Sequence, residues 1–404
     1  MNIAIGGQTS QNTLRGSRSN QQVTNVPLLD VVRSNAELHE EIMQSLSKIL
    51  ETGHFIGGQN VKNFEASFSE YCKTEHAVAC ASGSDALLLA LMAMDIGPGD
   101  EVIVPSFTFF ATASAVWRLG AKPVFADIDP VTFNLDPTSV AACINDQTRA
   151  IIPVHLFGQC CDMESMINLA NDAGIYVIED AAQAVGATYR GQMAGSMGHV
   201  GCFSFYPTKN LGGMGDGGIC TTNDEQIAER LRLMANHGMK PRYVHQHVGI
   251  NSRLDAMQAA VLEIKLRHLD HWSAQRSVNA QRYHDLLRQH GLSSRVELPQ
   301  CDHECGHVWN QYTIRVEDRE TRDYLRQELA SHRVGTEIYY PIPLHLQQCF
   351  ASLGYRVGDF PNTEMASHQV LSLPIFPGLT AAEQQYAIRC MDMVIGSRYS
   401  AKAA

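Results

Sequence analysis

The chain has 404 residues, of which 45% are apolar and 18% charged, a balance typical of a globular protein large enough for two domains. Its net charge of -11, without a dense basic stretch, argues against nucleic acid or an anionic membrane as a partner. No apolar run approaches the roughly 18 residues needed to span a bilayer. The eleven scattered cysteines favour a reducing cytoplasm over a disulfide framework.

The predicted elements begin after a polar N-terminal segment. Residues 1–25 are rich in Gln, Asn, Ser and Thr, and we interpret them as a disordered tail. The apolar segment 86–94 predicts a buried helix, stopped by a Gly-Pro-Gly turn. The sequence then predicts strands at 102–104, 123–128, 150–155, 175–179, 201–205 and 217–221, with helices at 108–119, 163–173 and 225–236 between them. This alternation predicts a largely parallel sheet covered on both faces, in a large domain at 26–252.

The pattern changes after residue 252. A long helix is predicted over 254–287, followed by a strand at 311–316, a helix at 321–331 and a strand at 336–340. This order predicts a smaller α+β domain over 253–404, joined to the large domain by the long helix.

The residue that most constrains the chemistry is Lys209. It lies in a turn rich in serine and glycine, 29 positions after Asp180, which ends an apolar strand. A lone lysine is usually a solvated surface residue. An acid at a strand tip followed by such a lysine, however, suits pyridoxal phosphate, because the amine forms a Schiff base with the aldehyde and the carboxylate keeps the pyridine nitrogen protonated.

Other segments place suitable groups at predicted strand ends. Ser84 and neighbouring backbone N–H groups open the buried helix and could hold a phosphate, although Ser84 or Asp85 could simply cap that helix. Phe109 could stack on a pyridine ring or pack in the core. Gln183 could be a turn residue, and Ser204 could satisfy a backbone group. For each of these residues alone, the ordinary structural interpretation is favoured. Together, however, the residues follow one another along the chain in the order in which a pyridoxal enzyme uses such groups.

One cluster suggests a metal. Cys301, His303, Cys305 and His307 fall within seven residues, but their spacing matches no usual pair of ligand pairs, and no second cluster is near in sequence. We therefore expect a solvent-exposed loop and no metal.

These motifs together identify a family resemblance. From Pro27 to its end the chain resembles the DegT/StrS-type nucleotide-sugar aminotransferases, in the stretches 82–87, 105–109, 179–183, 204–218, 251–254, 258–260 and 340–341. The resemblance implies an α/β fold of the aspartate aminotransferase type (PLP fold type I), with a seven-stranded, mostly parallel sheet. It also implies the cofactor pyridoxal 5'-phosphate.

The resemblance implies a role for each matching residue. Lys209 would form the Schiff base and later carry the proton, Asp180 would pair with the pyridine nitrogen, Gln183 would reach the phenolic oxygen and Phe109 would stack on the ring. Because family dehydratases have histidine in place of the lysine, Lys209 favours amino transfer.

The resemblance also implies a phosphate site shared between subunits. Gly83, Ser84 and Ser204 would hold the phosphate of the chain's own cofactor. Asn251 would reach the phosphate of the neighbouring subunit's cofactor, which implies a homodimer with shared sites.

The expected reaction moves an amino group from L-glutamate to a keto sugar nucleotide. The residues after Asn251 and those around Tyr340 are similar to members acting on 3-oxo sugars. We expect a UDP- or dTDP-linked 3-oxo hexose, with a UDP-linked N-acetylated hexose or its uronic acid favoured. We expect substrate contacts from Arg253, Tyr340 and His345. The ordinary alternatives are, in the same order, a structural ion pair, a core tyrosine and an exposed imidazole. A 4-oxo sugar substrate, another pyridoxal reaction such as a desulfurase, and a non-catalytic regulatory protein are the alternatives.

Overall fold

The computed structural model describes residues 23–403, so most of the predicted tail at 1–25 lies outside the described residues. Just inside this boundary, Val23 packs on the core of the C-terminal part, and Val26 is buried there. The Val26 N–H donates to the carbonyl of Arg333 at 2.9 Å, and the Gly335 N–H donates back to Val26. The start of the described chain is therefore anchored on the C-terminal part of the protein.

The described residues form thirteen α-helices and twelve strands. The helices are α1 Val31–Asn35, α2 His39–Thr52, α3 Gly58–Cys72, α4 Gly83–Ala93, α5 Ala111–Arg118, α6 Pro137–Cys143, α7 Met163–Ala173, α8 Glu225–Ala235, α9 Ala256–Leu266, α10 Leu269–Gln289, α11 Arg319–Ser331, α12 Pro361–Gln369 and α13 Ala381–Ala403. The strands are β1 His76–Cys80, β2 Glu101–Pro105, β3 Lys122–Ala126, β4 Thr148–Ile151, β5 Tyr176–Asp180, β6 Thr188–Tyr189, β7 Gln192–Met193, β8 Val200–Ser204, β9 Gly218–Thr222, β10 Cys305–Gly306, β11 Tyr312–Arg315 and β12 Val370–Leu373. No helix among these described residues is both long and apolar enough to cross a bilayer.

The main sheet has seven strands in the order β1-β9-β8-β5-β4-β2-β3. The pairs among β3, β2, β4, β5 and β8 are parallel, whereas β9 runs antiparallel to both β8 and β1. The predicted mostly parallel seven-stranded sheet is therefore confirmed. The sequence pattern did not locate β1, which runs along the antiparallel edge.

Apolar residues cover both faces of this sheet because side chains alternate along each strand. In β2, Val102 and Val104 pack into the cluster that contains α4, while Ile103 packs into the cluster on the opposite face. The α4 helix is apolar on every side, and its leucines at 87, 89 and 91 are buried. The predicted buried helix at 86–94 is thus confirmed as part of α4.

The predicted helix at 254–287 is two helices, α9 and α10, separated at Arg267 and His268. Its first half buries Leu262 in a core of the main sheet, whereas its second half buries Tyr283 and Leu287 in the C-terminal core. The break lets each half turn its apolar face toward a different core.

The predicted strand at 336–340 is wrong. Only Glu337 pairs, in an isolated bridge with Ser372, and the small sheet of this part is formed by β11 and β12. Pro341 and Pro343 follow at once and cannot donate ladder hydrogen bonds, so the segment does not continue as a strand.

Candidate active site

The functional residues named from the sequence gather at the carboxyl ends of the parallel strands, where open α/β sheets bind ligands. Asp180 ends β5 and Ser204 ends β8. Phe109 follows β2 and precedes α5, and Gly83 begins α4 after β1. One edge of the sheet therefore assembles segments that are up to 121 positions apart in sequence, from Gly83 to Ser204.

Asp180 is a buried carboxylate, with 5% of its surface exposed. Its Oδ2 atom accepts a hydrogen bond from the Thr112 hydroxyl at 2.8 Å, and its Oδ1 atom accepts one from the Ala182 N–H at 3.2 Å. Burial raises the pKa of Asp180, while the Thr112 bond opposes that rise by favouring the charged form. The arrangement fixes the carboxylate and leaves lone pairs for a further donor.

Lys209 sits in a turn between β8 and β9 that backbone hydrogen bonds close. The Lys209 N–H donates to the Tyr206 carbonyl at 2.8 Å, and a Cβ added at Gly212 would lie 2.4 Å from the Pro207 carbonyl oxygen. This close approach explains why the turn needs glycine. Burial lowers the pKa of Lys209 to about 8, and the charge of Asp180 opposes the shift. The two groups are thus close enough to influence each other's titration.

The start of α4 provides the expected anion cradle. Ser82, which the sequence did not single out, is the cap, since its hydroxyl accepts from the Asp85 N–H at 3.1 Å. Ser84 is exposed in the first turn, so its hydroxyl and the adjacent N–H groups face outward. A Cβ added at Gly83 would lie 2.5 Å from the Cβ of Ser204, so only glycine lets the two segments approach each other this closely.

An aromatic and amide group lies beside the acid. Phe109 is 57% exposed, with its ring centroid 6.3 Å from that of Tyr340. The Gln183 Nε2 atom donates to the Tyr340 hydroxyl at 3.1 Å, and its Oε1 atom accepts from the Phe157 N–H at 2.7 Å. Burial raises the pKa of Tyr340, so it is a neutral phenol at physiological pH. A large exposed ring next to a buried amide suits the face of an aromatic cofactor.

His345 is placed differently from the other substrate-contact candidates. It is buried, with its Nδ1 atom 2.5 Å from the Ser106 hydroxyl and its Nε2 atom 3.2 Å from a Glu364 oxygen. Burial lowers the pKa of His345. Its two ring nitrogens are thus occupied within the chain. Because Ser106 precedes the Phe109 loop and His345 follows Tyr340, the pair joins the two aromatic segments.

Asn251 and Arg253 are both exposed, and they flank Ser252, whose hydroxyl donates to Asp85 of α4 at 2.7 Å. Arg253 lines an open groove of about 740 Å³ together with Asn236, His237, Met239, Arg242, Tyr243 and His245. Within the described chain, the structure therefore brings together the acid, the lysine, the ring and the α4 cradle, but leaves Asn251 and Arg253 on an open surface.

Two further groups near Asp180 were missed from the sequence. Thr112 gave no signal, because it occupies one position in an otherwise ordinary helix. His155 is buried beside Asp180, and its Nδ1 atom accepts from the Cys161 N–H at 3.1 Å, so its Nε2 atom carries the proton and donates to Glu179 at 2.9 Å. Glu179 is also buried, and it accepts three backbone N–H bonds, from Gly195, Met197 and Gly198.

The four side chains of the cysteine- and histidine-rich segment lie in different surroundings. Cys301 and His303 are exposed, Cys305 pairs in β10, and His307 stacks on Trp309 with ring centroids 3.9 Å apart. Burial lowers the pKa of His307 to about 3. Across the part of the chain that the structure describes, no three metal-ligating side chains converge.

The residues present fit pyridoxal phosphate. The Gly83–Ser204 approach leaves a cradle that a side chain would fill, the α4 terminus presents backbone donors, and a buried acid lies within electrostatic reach of a lysine whose pKa is lowered. A mostly parallel sheet carrying these groups at its carboxyl edge defines a pyridoxal phosphate-dependent enzyme.

Sequence comparison gives the family. The profile of the DegT/DnrJ/EryC1/StrS aminotransferase family matches residues 36–392, and the chain belongs to this family. It is 49% identical to the pleiotropic regulatory protein of Geobacillus stearothermophilus over 90% of this chain and 97% of that one. It is 43% identical to the UDP-N-acetyl-3-dehydro-alpha-D-glucosamine 3-aminotransferase of Acidithiobacillus ferrooxidans, over 91% of this chain and 96% of that one.

Solved structures give the same result. The complex of Streptomyces venezuelae DesV with a ketimine intermediate superimposes with a TM-score of 0.88 at 42% identity, covering 92% of this chain and 98% of that one. Bacillus subtilis NtdA with bound cofactor PMP superimposes with a TM-score of 0.86 at 34% identity, covering 93% and 86% of the two chains. The protein is therefore an aminotransferase, and its cofactor is pyridoxal phosphate.

Proposed function

We propose that this protein transfers the amino group of L-glutamate to the 3-oxo group of a nucleotide-linked hexose. The product would be a 3-amino sugar nucleotide for surface polysaccharide or glycoside biosynthesis. The observation that carries the proposal is the mutual electrostatic influence of Lys209 and Asp180 in an aminotransferase fold. The relative acting on UDP-N-acetyl-3-dehydro-alpha-D-glucosamine supports position 3 of the sugar and a UDP carrier.

Lys209 is the proposed proton carrier. When bound, the cofactor supplies an aldehyde that accepts the amino group and a ring that accepts electrons. The Lys209 amine would take a proton from the donor's α-carbon and hold it for return to the product. A pKa of about 8 suits this task, because a substantial fraction of the amine is then neutral near physiological pH.

Asp180 is the proposed partner of the pyridine nitrogen. Its carboxylate is held by Thr112 and the Ala182 N–H, so it meets the nitrogen without reorganising. The charged pyridinium would offset the burial that now raises the pKa of this carboxyl. Phe109 would cover one face of the ring, and Gln183 would donate to the phenolic oxygen in place of its present bond to Tyr340.

The remaining phosphate and substrate contacts are proposed to come from a second copy of the chain. Asn251 and Arg253 are exposed, and Arg253 lines a groove that also carries Arg242, in a protein whose net charge is -11. Local cations on an acidic protein suit a phosphate-bearing ligand. A homodimer in which each groove completes the neighbour's site would use these residues.

Two alternative functions can be distinguished by one assay. A 4-oxo sugar is the alternative substrate, and GDP-perosamine synthase from Caulobacter vibrioides is a relative at 40% identity. A regulatory role without catalysis is favoured by the name of the Geobacillus stearothermophilus relative. The retained Lys209 and Asp180 pair favours catalysis over that role.

The test is incubation of the glutamate-loaded enzyme with matched panels of 3-oxo and 4-oxo nucleotide sugars, with products identified by mass spectrometry and NMR. We expect amination of a 3-oxo substrate and release of 2-oxoglutarate. Amination of the 4-oxo panel alone would overturn the position. Sugar binding without glutamate consumption would support the regulatory role instead.

The cellular setting is also a proposal. All eleven cysteines are unpaired in the structure, and most of them are buried. Unpaired thiols suit a reducing compartment, so we place the reaction in the cytoplasm.

A further inference from the structure

A small cavity of about 30 Å³ lies against the Lys209 turn. Its walls come from α1, the turn at 207–210, α9, α10 and the segment at 376–377. This volume holds one or two particles the size of water, so it can take a halide or one terminal carboxylate group but cannot enclose a nucleotide, a phosphate ester or a whole amino acid.

Two buried cations line this cavity. Lys265 and Arg276 are each only 4% exposed. The Lys265 ammonium donates to the carbonyl of Gly212, at the end of the Lys209 turn. The Arg276 Nη1 atom donates to the carbonyls of Trp309 and Ile375, at 3.0 Å each. The cavity thus lies between a cation that holds the turn and a cation that holds the C-terminal core.

Neither cation has a carboxylate partner among the described residues. The Arg276 Nε atom is buried without a hydrogen bond there. The one carboxylate lining the cavity belongs to Asp30, and it already accepts the Arg33 N–H and pairs with the Arg33 guanidinium at 3.2 Å. Burial without a compensating anion lowers the pKa of Lys265 to about 8 and that of Arg276 to about 10. Buried cations are normally paired, so this arrangement lacks an anion.

We propose that the cavity binds one small monovalent anion, a halide or a terminal carboxylate group, between Lys265 and Arg276. The anion would accept charge-assisted hydrogen bonds from the Lys265 ammonium and from the Arg276 guanidinium. Through the Gly212 and Trp309 carbonyls it would link the turn that carries Lys209 to the C-terminal core. The site is separate from the proposed phosphate cradle at Ser84, on α4.

The direct test is a crystal of the holoenzyme grown in sodium bromide and measured at the bromine edge. We expect an anomalous peak between Lys265 and Arg276, absent in Lys265→Met and present in the matched surface control Lys62→Gln. Lys62 is exposed and does not line the cavity. A cavity that contains only water, or a peak no stronger than those at exposed lysines, overturns the proposal.

A solution measurement keeps the proposal testable if Lys265→Met is unstable. The wild-type holoenzyme is titrated with sodium bromide and, at equal ionic strength, with sodium gluconate, whose anion is too large for the cavity. We expect a saturable rise in Tm with bromide only, since a ligand of the folded state stabilises it. In Arg276→Lys, which keeps the charge but lacks Nε–H, bromide binding should weaken at least about tenfold, the loss of one charge-assisted bond. Equal curves for the two salts overturn the proposal.

The source of the anion is distinguished by a further arm of the crystal experiment. Crystals in bromide are compared with crystals in bromide plus L-glutamate. Loss of the peak with glutamate assigns the site to a carboxylate of the amino donor, and its retention assigns the site to a free halide. Because the readout is anomalous density, failure of the proposed transamination would leave this result intact.

Discussion

The buried edge of the main sheet and the exposed segment before α9 differ in whether their polar side chains already have hydrogen-bond partners in the same chain. At the sheet edge, Asp180 and Gln183 each have fixed hydrogen-bond partners in the same chain. In the other segment, Asn251 and Arg253 are exposed, and Val248 is 94% exposed. An exposed apolar side chain beside unused polar groups suits an interface. The difference teaches that one chain alone fixes the side chains at the sheet edge, and it agrees with the proposal that Asn251 and Arg253 act on a neighbouring subunit's site.

The strongest test of the buried site at the sheet edge is the substitution Lys209→Ala. It should lower kcat for amino transfer by at least about 10³-fold, because both the covalent link and the proton carrier are lost. Loss of the visible cofactor absorbance and single-turnover rates with glutamate measure the effect. The variant should stay folded by circular dichroism, and residual activity above a tenth of wild type would contradict the assignment.

The proposal that two subunits share each active site is tested by combining two inactive variants. Asn251→Asp places a negative charge against a phosphate and should lower activity at least about 100-fold, by electrostatic repulsion. Co-expressed with Lys209→Ala on a second tag, it should restore about one quarter of wild-type activity, since half of the dimers then contain one intact site of two. If each site belongs to a single chain, the mixture stays as inactive as the parents.

Thr112→Val tests how far the acid depends on its support. Removing the 2.8 Å hydrogen bond to Asp180 should lower kcat/KM by about 10-fold or more, the effect of losing a buried bond to a charged group. Because that bond lowers the pKa of Asp180, its loss should raise that pKa and move the acid limb of the pH–rate profile upward. Thr112→Ser keeps the hydroxyl and should behave like wild type. Unchanged profiles in both variants would assign Thr112 to packing alone.

The smallest expected effect is on the pH dependence of the coupling between the cofactor and Lys209. With the pKa of Lys209 lowered to about 8, the neutral amine grows with pH up to 8 and then saturates. Coupling of pyridoxal phosphate to the apoenzyme, followed by visible absorbance, should therefore rise about fivefold from pH 7 to pH 8 and level off above pH 9. A rate that keeps rising tenfold per unit to pH 10 would indicate an ordinary, solvated lysine. Lys209→Arg serves as the unreactive control.

Sequence reasoning located the residues whose chemistry is local. Asp180 ends a predicted strand and Lys209 lies in a glycine-rich turn, so the sequence alone predicts that both lie at the same sheet edge. Thr112 was missed because packing across the sheet sets its partner, Asp180. The cap Ser82 was missed although its bond from the Asp85 N–H is local. His345 was expected near the substrate, but its surroundings bury it between Ser106 and Glu364.

The sequence by itself determined the kind of sheet, the buried α4 and the order of the acid and the lysine, because apolar periodicity and turn residues act over short distances along the chain. Only the tertiary structure decided which side chains meet. It divided the long predicted helix between two cores, paired Thr112 with Asp180, and placed the cations Lys265 and Arg276 around one cavity. Such pairings depend on how distant elements pack, and no local pattern encodes that contact.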